Sequence, residues 1–346
     1  MPSQSGRIQT VCGLIEPCEL GRTLMHEHVV TDYTPPAQRG QLEIEVTLEN
    51  HFELTYHWVK HPGMRRLCDP AVATREMQWM VESGGRAVVD VSTRGMILFP
   101  EHLREVSERS GAQIIMGCGR YYDDEGFLTE QDRARTVDDL ATEFIREIRE
   151  GVDGTSVKAG IIGEIGCSCP WTDAEKRSMR AAVIAQQETG AALTIHPGRG
   201  DPDAAFEIVA FITKAGADLS RTIIDHIERR LAGTDAVLRM ADTGVVLEFD
   251  MFGQETSHFA ATGKPFDLSG DGARLTWMRA LIDRGHADQI VISHDICQKP
   301  RLQSFGGHGY SHIYRNVIPM MHQRGYTDRE IETILVDTPR RLLAIA

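Results

Sequence analysis

No apolar run in this 346-residue chain approaches the length of a membrane span, and the opening Met1-Pro2-Ser3-Gln4-Ser5-Gly6 is polar where a secretory signal would carry an apolar core. The expected compartment is therefore the cytoplasm. Cysteine is scarce: positions 12, 18, 68, 118, 167, 169 and 297 are odd in number, dispersed and without zinc-ribbon spacing, so reduced thiols in the core or near a site are expected. Positive charge is also in deficit. With 37 Lys and Arg against 50 Asp and Glu the formal charge is −13, which argues against nucleic acid and anionic membranes as partners but leaves room for a local basic pocket holding an anion. Nucleotide-binding signatures are missing as well, with neither a P-loop nor a Rossmann glycine fingerprint, and no internal repeat or low-complexity tract is present.

What the chain does have is enough apolar residue, 41%, for one large globular domain over 1–346. Strand-like runs fall at Arg22–Val29, Arg86–Val91, Ala112–Cys118, Val157–Ile165, Ala191–His196, Arg221–Ile227, Val245–Asp250 and Gln289–Ser293. Helical periodicity lies between most of them, at Pro70–Glu82, Pro100–Ser110, Val137–Arg149, Asp173–Thr189, Asp203–Ala215, Thr234–Thr243 and Ala273–Arg284. Short apolar strands alternating with helices pair in parallel with both faces covered, and eight of them fit an α/β chain closed as a (β/α)8 TIM barrel. A doubly wound open sheet is the alternative. It would have to gather its ligands at one topology switch, whereas a barrel brings the ends of strands one, four, five, six and eight around one cavity. Residues 32–68, rich in prolines, aromatics and mixed charge, read as an insertion near the barrel mouth, and Ser311–Met321 with Asp328–Leu335 as C-terminal helices whose limits Pro319 and Pro339 blur.

Chemistry-bearing residues collect at the strand ends. His26 and His28 share one side of an extended strand by its period of two, while Glu27 faces the other way and supports the barrel. Glu164 ends the fourth run inside Gly160-Ile161-Ile162-Gly163-Glu164-Ile165-Gly166, where glycines allow close backbone approach and the carboxylate can bridge two metals. His196 ends the fifth run and His226 the sixth, suited to a second cation, and Asp295 follows the eighth, able to bind the first cation and to take a proton from a bridging water. His294 and Asp225, adjacent to Asp295 and His226, are expected to face away from the cavity.

The segments LGRTLMHEHV, GIIGEIG, TIHPGRG, IIDHIERR, VISHDICQK and GGHGYSHI together resemble the phosphotriesterase-related branch of the amidohydrolase superfamily. The resemblance implies a binuclear hydrolytic site with His26, His28 and Asp295 on the more buried metal, His196 and His226 on the more exposed one, and Glu164 between them. Zinc is the expected metal, with manganese, cobalt or iron also compatible. The better-known members bridge through a carbamylated lysine. Here Glu164 stands near that place, and Lys158 lies roughly 20 Å earlier along an extended strand, too far to serve. A Glu-bridged branch looks more like enzymes of amides and lactones than of organophosphates.

The expected function is thus a metal-dependent hydrolase whose metal-bridging hydroxide cleaves a carboxylic amide or lactone of a small-molecule substrate, with Asp295 as the catalytic acid and base. A phosphotriesterase or other ester hydrolase is the alternative, and a metal-stabilised binding protein the reading from another class. Candidate substrate contacts are Arg120, Tyr121 and Tyr122 after the third strand, Arg199 after the fifth, Arg229 and Arg230 after the sixth, Phe252 after the seventh, Lys299 and Arg301 after the eighth, and His308 and Tyr310 on a late glycine-rich loop read as a mobile lid. Homo-oligomerisation is compatible with the family resemblance.

Overall fold

The computed structural model describes residues 4–199, 201, 203–231, 233–256, 258–259 and 266–346. Met1 to Ser3 of the polar leader and Gly200 of TIHPGRG lie outside these. Eight parallel strands form one sheet: β1 (Thr23–Glu27), β2 (Ala87–Asp90), β3 (Gln113–Cys118), β4 (Ala159–Gly166), β5 (Leu193–His196), β6 (Thr222–Ile224), β7 (Val246–Phe249) and β8 (Ile290–Ile292). They follow chain order around the sheet, and the last lies beside the first, where the Asp295 N–H reaches the His26 carbonyl at 3.3 Å. The result is a nearly closed TIM barrel, not an open doubly wound sheet. β6 ends before the expected Ile227 because His226 turns into the left-handed region at φ 56°.

Among the described residues, seven helices of eight residues or more flank the strands up to β8: α1 (Pro70–Glu82), α2 (Pro100–Ser110), α3 (Val137–Arg149), α4 (Asp173–Thr189), α5 (Ala204–Ala215), α6 (Thr234–Ala241) and α7 (Asp271–Asp283). Local chemistry sets their ends. Asp69 accepts from the Ala71 and Val72 N–H groups ahead of α1 with Pro70 at its first position, and Thr172 and Glu175 cap α4 reciprocally. Gly111 and Gly190 close α2 and α4 in left-handed conformation. The helical runs 313–323 and 328–343 pass straight through Pro319 and Pro339, the second run extending beyond the expected Leu335. In each, a widened π-turn, Ile313–Val317 or Thr333–Asp337, precedes the proline and accommodates its missing N–H.

Two apolar assemblies result. One lies between strands and helices, with Leu24, Val88, Ile114, Ile162 and Leu247 facing Met77, Phe144 and Met278. The other fills the inside of the barrel with Met25, Val89, Ile115, Ile161, Ala192, Ile223, Val246 and Val291, closed from below by Ile8, Leu20 and Leu342. Burying each of the larger side chains contributes about 1.5–3 kcal/mol.

Simple alternation fails at two strands that matter most. Leu24 pairs with Val88 and Glu27 with Asp90, so β1 carries one extra residue, and β4 does the same between Ile162 and Ile165 against Leu193 and Ile195. Each bulge re-aims a side chain, so that His26 and Glu164 face the interior although their inner-facing neighbours Met25 and Ile161 would put them on the other parity. The backbone is close enough here that a Cβ on Gly117 would stand 2.1 Å from the Gly163 carbonyl oxygen and one on Gly163 2.2 Å from that of Thr194.

Candidate metal centre

At the C-terminal ends of the strands the bulge in β1 delivers His26 into the barrel axis. Its Nε2 is 3.7 Å from Glu164 Oε2 and 3.9 Å from Asp295 Oδ1, while its Nδ1 is 3.5 Å from Asp225 Oδ2, 3.5 Å from Asp250 Oδ2 and 3.7 Å from Glu248 Oε2. His28 Nε2 lies 3.5 Å from both Glu164 Oε1 and Asp295 Oδ1, with its Nδ1 on Ser92 Oγ at 2.9 Å. His196 Nδ1 is 2.8 Å from Glu164 Oε2 and 2.9 Å from His226 Nε2. Asp250 holds His226 from behind, taking its Nδ1 at 2.8 Å and its backbone N–H at 2.8 Å, which leaves Nε2 as an acceptor on the side of His196 Nδ1 at 2.9 Å and Glu164 Oε2 at 3.8 Å. His226 and Asp295 both adopt left-handed backbone, φ 56° and 52°, a strained state for residues with a Cβ and one that aims each inward.

These residues fit a metal. Both ring nitrogens of His26 are buried without a hydrogen-bond partner, an arrangement that costs free energy unless something else satisfies them. Separations of 3.5–3.9 Å are too long for hydrogen bonds, yet two donors sharing a cation at about 2.0–2.2 Å stand about that far apart. Among the described residues, three groups could hold an ion: His26, His28 and Asp295; His26, Glu164 and His226; and His26 with Asp225, Glu248 and Asp250. The electrostatics agree. Burial lowers His26 to about 3, and burial with the nearby Arg229 holds His196 and His226 well below the ordinary imidazole range, so all three present neutral lone pairs. Burial, then Asp225 and Asp295, pushes Glu164 well up, the signature of negative charge crowded without a counter-ion. Asp295 goes the other way: burial would raise it, but the His28 ring 3.5 Å away and the other polar groups facing it, Arg229 among them, outweigh that.

Glu27 accepts from Ser293 Oγ at 2.8 Å, the His294 N–H at 2.9 Å, His294 Nδ1 at 2.7 Å and the Ile296 N–H at 2.9 Å, tying β8 to β1. His294 faces away from the centre. Asp225, by contrast, points in with Ile223 and meets His26, since the left-handed turn at His226 frees the two neighbours from alternation. Sequence reasoning also passed over Glu248 and Asp250. The signal was there: two carboxylates two residues apart in an otherwise apolar Val245-Val246-Leu247-Glu248-Phe249-Asp250 share the interior face.

Two cavities open above the centre, an inner pocket of about 40 Å³ over the metal-ligand candidates and a vestibule of about 400 Å³ outside it. Tyr121, Tyr122, Arg199 and Arg229 line the inner pocket, Arg229 Nη2 standing 3.1 Å from His196 Nε2. The remaining substrate-contact candidates are in neither wall among the described residues. Arg120 is drawn outward to Asp132 at 2.6 Å and Glu143 at 2.8 Å; Phe252 lies under the Arg274 guanidinium; Lys299 pairs with Glu43 beside a separate groove. Arg230 and Arg301 are buried in the packing around the site. The late loop is no free lid, because His308 packs on the His294 ring at 5.6 Å and the buried Tyr310 hydroxyl donates to the His28 carbonyl at 2.9 Å. In their place residues 32–68 contribute Tyr33, Trp58 and Arg65, and the turn after β3 contributes Glu125. No periodicity in that insertion could have picked them out.

Comparison with known proteins is consistent with this geometry. The profile of the Phosphotriesterase family matches residues 6–343. An N-acetyltaurine hydrolase of Dictyostelium discoideum is 38% identical with 100% of each chain covered, and the N-acetyltaurine hydrolase of Homo sapiens is 37% identical with 99% of each covered. Among solved structures, a resiniferatoxin-binding protein from Rhodobacter sphaeroides superposes with a TM-score of 0.90 at 32% identity, over 99% of this chain and 96% of that one.

Proposed function

Since the chain belongs to the phosphotriesterase family, a family of metal-dependent hydrolases, we propose that it uses two divalent cations to hydrolyse a carboxylic amide whose amine side carries an anion, N-acetyltaurine being the first substrate to test. The observation that carries this reading is the pairing of a floor of neutral imidazoles around Glu164 with a wall bearing Arg65, Arg199 and Arg229 in the same small pocket. The floor suits cations and the wall an anion. Mixed imidazole and carboxylate donors favour zinc, held by His26, His28 and Asp295 on one side of Glu164 and by His196 and His226 on the other.

When bound, the cations supply an activated water and an electrophilic contact for the carbonyl oxygen. Asp295, kept below the ordinary carboxylate range, accepts the water proton as oxygen bonds to the carbonyl carbon, and returns it to nitrogen as the C–N bond breaks, yielding a carboxylic acid and an amine. Asp250 fixes the His226 ring throughout, and Ser92 fixes His28. Tyr33, Trp58 and Tyr121 supply apolar walls that exclude bulk water.

The test is release of acetate and taurine in equal amounts from N-acetyltaurine by the metal-replete protein, beside matched lactone and phosphotriester panels. Turnover of the amide with one solvent oxygen in acetate is expected. Cleavage of lactone or phosphotriester with no amide turnover would sink the amide reading.

A further inference from the structure

An inner pocket of about 40 Å³ has room for at most a few waters, so no amide substrate reaches His28, Glu164, His226 and Asp295 until part of its wall moves, although His196 also borders the vestibule. Five residues belong to both this wall and the vestibule's: Arg65, Tyr122, Glu125, His196 and Arg199. They are the partition. At its centre the Glu125 carboxylate takes Arg65 Nη1 on Oε2 at 2.8 Å and the Tyr122 hydroxyl on Oε1 at 3.1 Å, with Arg199 Nη2 3.6 Å from Oε1. Its backbone is left-handed, φ 64°, which is unfavourable for a glutamate and is held here by those contacts.

The Arg65 cation beside it is held in place. Arg65 is buried, its guanidinium carbon 4.9 Å from the Trp58 ring centre and 5.1 Å from that of Tyr33, and its Nε is buried with no hydrogen-bond partner. Two guanidiniums and a phenol on one carboxylate match a small anion with several acceptor oxygens. The Tyr122 ring stacks on His196 at 5.4 Å, so a single ring separates this anion cradle from a candidate metal ligand.

We propose that Arg65, Tyr122 and Arg199 form the subsite for the substrate's sulfonate or carboxylate, and that Glu125 occupies it as an internal stand-in which the substrate's own anion displaces. The proposal rests on the amide reading for the identity of the substrate. The chemistry of the cradle itself can be tested without turnover. Displacement moves the partition and opens the inner pocket only for a ligand carrying the matching charge, which makes Glu125 a specificity device.

Ethanesulfonate and propionate titrated calorimetrically into the metal-replete full-length protein, Glu125→Gln and the charge-matched pair Arg65→Met with Glu125→Gln provide the test, alongside KM for N-acetyltaurine, N-acetyl-β-alanine and uncharged N-ethylacetamide. In Glu125→Gln, ethanesulfonate or propionate should bind roughly tenfold tighter, with KM for the matching amide falling in step and by clearly more than that for N-ethylacetamide. The anion arm showing the larger gain identifies the acid group. The double variant, which leaves no unpaired buried charge, should lose the gain. Equal anion affinity in wild type and Glu125→Gln, or tight binding kept in the double variant, overturns the subsite. If affinities follow the expected order while no amide is cleaved, the subsite stands and the amide reading falls; if amide is cleaved while affinities stay unchanged, the amide reading stands and the subsite falls.

Discussion

The inside of the barrel is two regions of equal burial and opposite chemistry. Toward the N-terminal ends of the strands, Met25, Val89, Ile115, Ile161, Ala192, Ile223, Val246 and Val291 meet as a dry apolar plug, one from each strand except β5, which Ala192 immediately precedes. Toward the C-terminal ends, His26, Glu164, His196, Asp225, His226, Glu248, Asp250 and Asp295 are buried to nearly the same degree, with unpartnered atoms on His26, Asp225 and Glu248. The first region favours folding as it stands. The second is unfavourable until cations and protons balance it, because each uncompensated buried charge costs several kcal/mol. The difference teaches that the barrel's stability and its chemistry are carried by separate parts of the same strands, with the bulges in β1 and β4 at the boundary.

The largest effect that would sharpen this comparison is Asp295→Asn in the charged region. We expect kcat to fall by roughly 10³–10⁴, with the fold intact by circular dichroism and the metal content measured alongside. Activity near wild type would remove Asp295 from the proton path. In the apolar region Ile161→Ala should do the converse, costing about 2–5 kcal/mol in denaturant unfolding while metal content and kcat/KM hold. A loss of metal in that variant would break the division between the two regions.

A smaller effect separates the regions by pH. In metal-free protein, burial comes first among the causes that raise Glu164, Asp225, Glu248 and Asp250, and their mutual repulsion adds to it. Through these four groups the folded state binds more protons than the unfolded one, a contribution to stability that declines as pH rises above the unfolded carboxylate value of about 4, while His26, His196 and His226, held neutral by burial, oppose it below the unfolded imidazole value of about 6.5. Thermal melts of chelated protein between pH 7.5 and 9, above the unfolded imidazole value of about 6.5 so that the depressed His26, His196 and His226 no longer contribute with the opposite sign, should show Tm falling with pH, and zinc should flatten the profile. A Tm independent of pH in the chelated protein would mean the cluster is balanced without cations.

How far the sequence showed all this follows the same boundary. Runs such as Ala192-Leu193-Thr194-Ile195 and Ile290-Val291-Ile292 mark strands because β-branched and apolar residues fit a pleated, covered sheet, and a His or Asp closing such a run stands out. The barrel and the set of residues gathered around Glu164 were legible for that reason. Side-chain direction was not: a bulge or a left-handed residue leaves no mark in the pattern, so His226 joined Asp225 in facing the centre although alternation would send one of the two away. Nor was the wall of the pocket. Arg65 and Glu125 sit in irregular segments whose course depends on partners distant in sequence, and Arg120 left the mouth because Asp132 and Glu143 drew it outward.

The smallest expected effect lies at Lys299, which followed the eighth strand closely enough to suggest a substrate contact. The structure turns it toward Glu43, and partial burial lowers its pKa. An ion pair of this kind contributes about 0–1 kcal/mol and is screened by salt. Lys299→Ala should therefore change stability by less than about 1 kcal/mol and leave KM for N-acetyltaurine unchanged, in contrast to any change at Arg65 in the pocket wall. A rise in KM confined to anionic substrates would bring Lys299 back to the pocket and extend the charged region past the partition that Glu125 now defines.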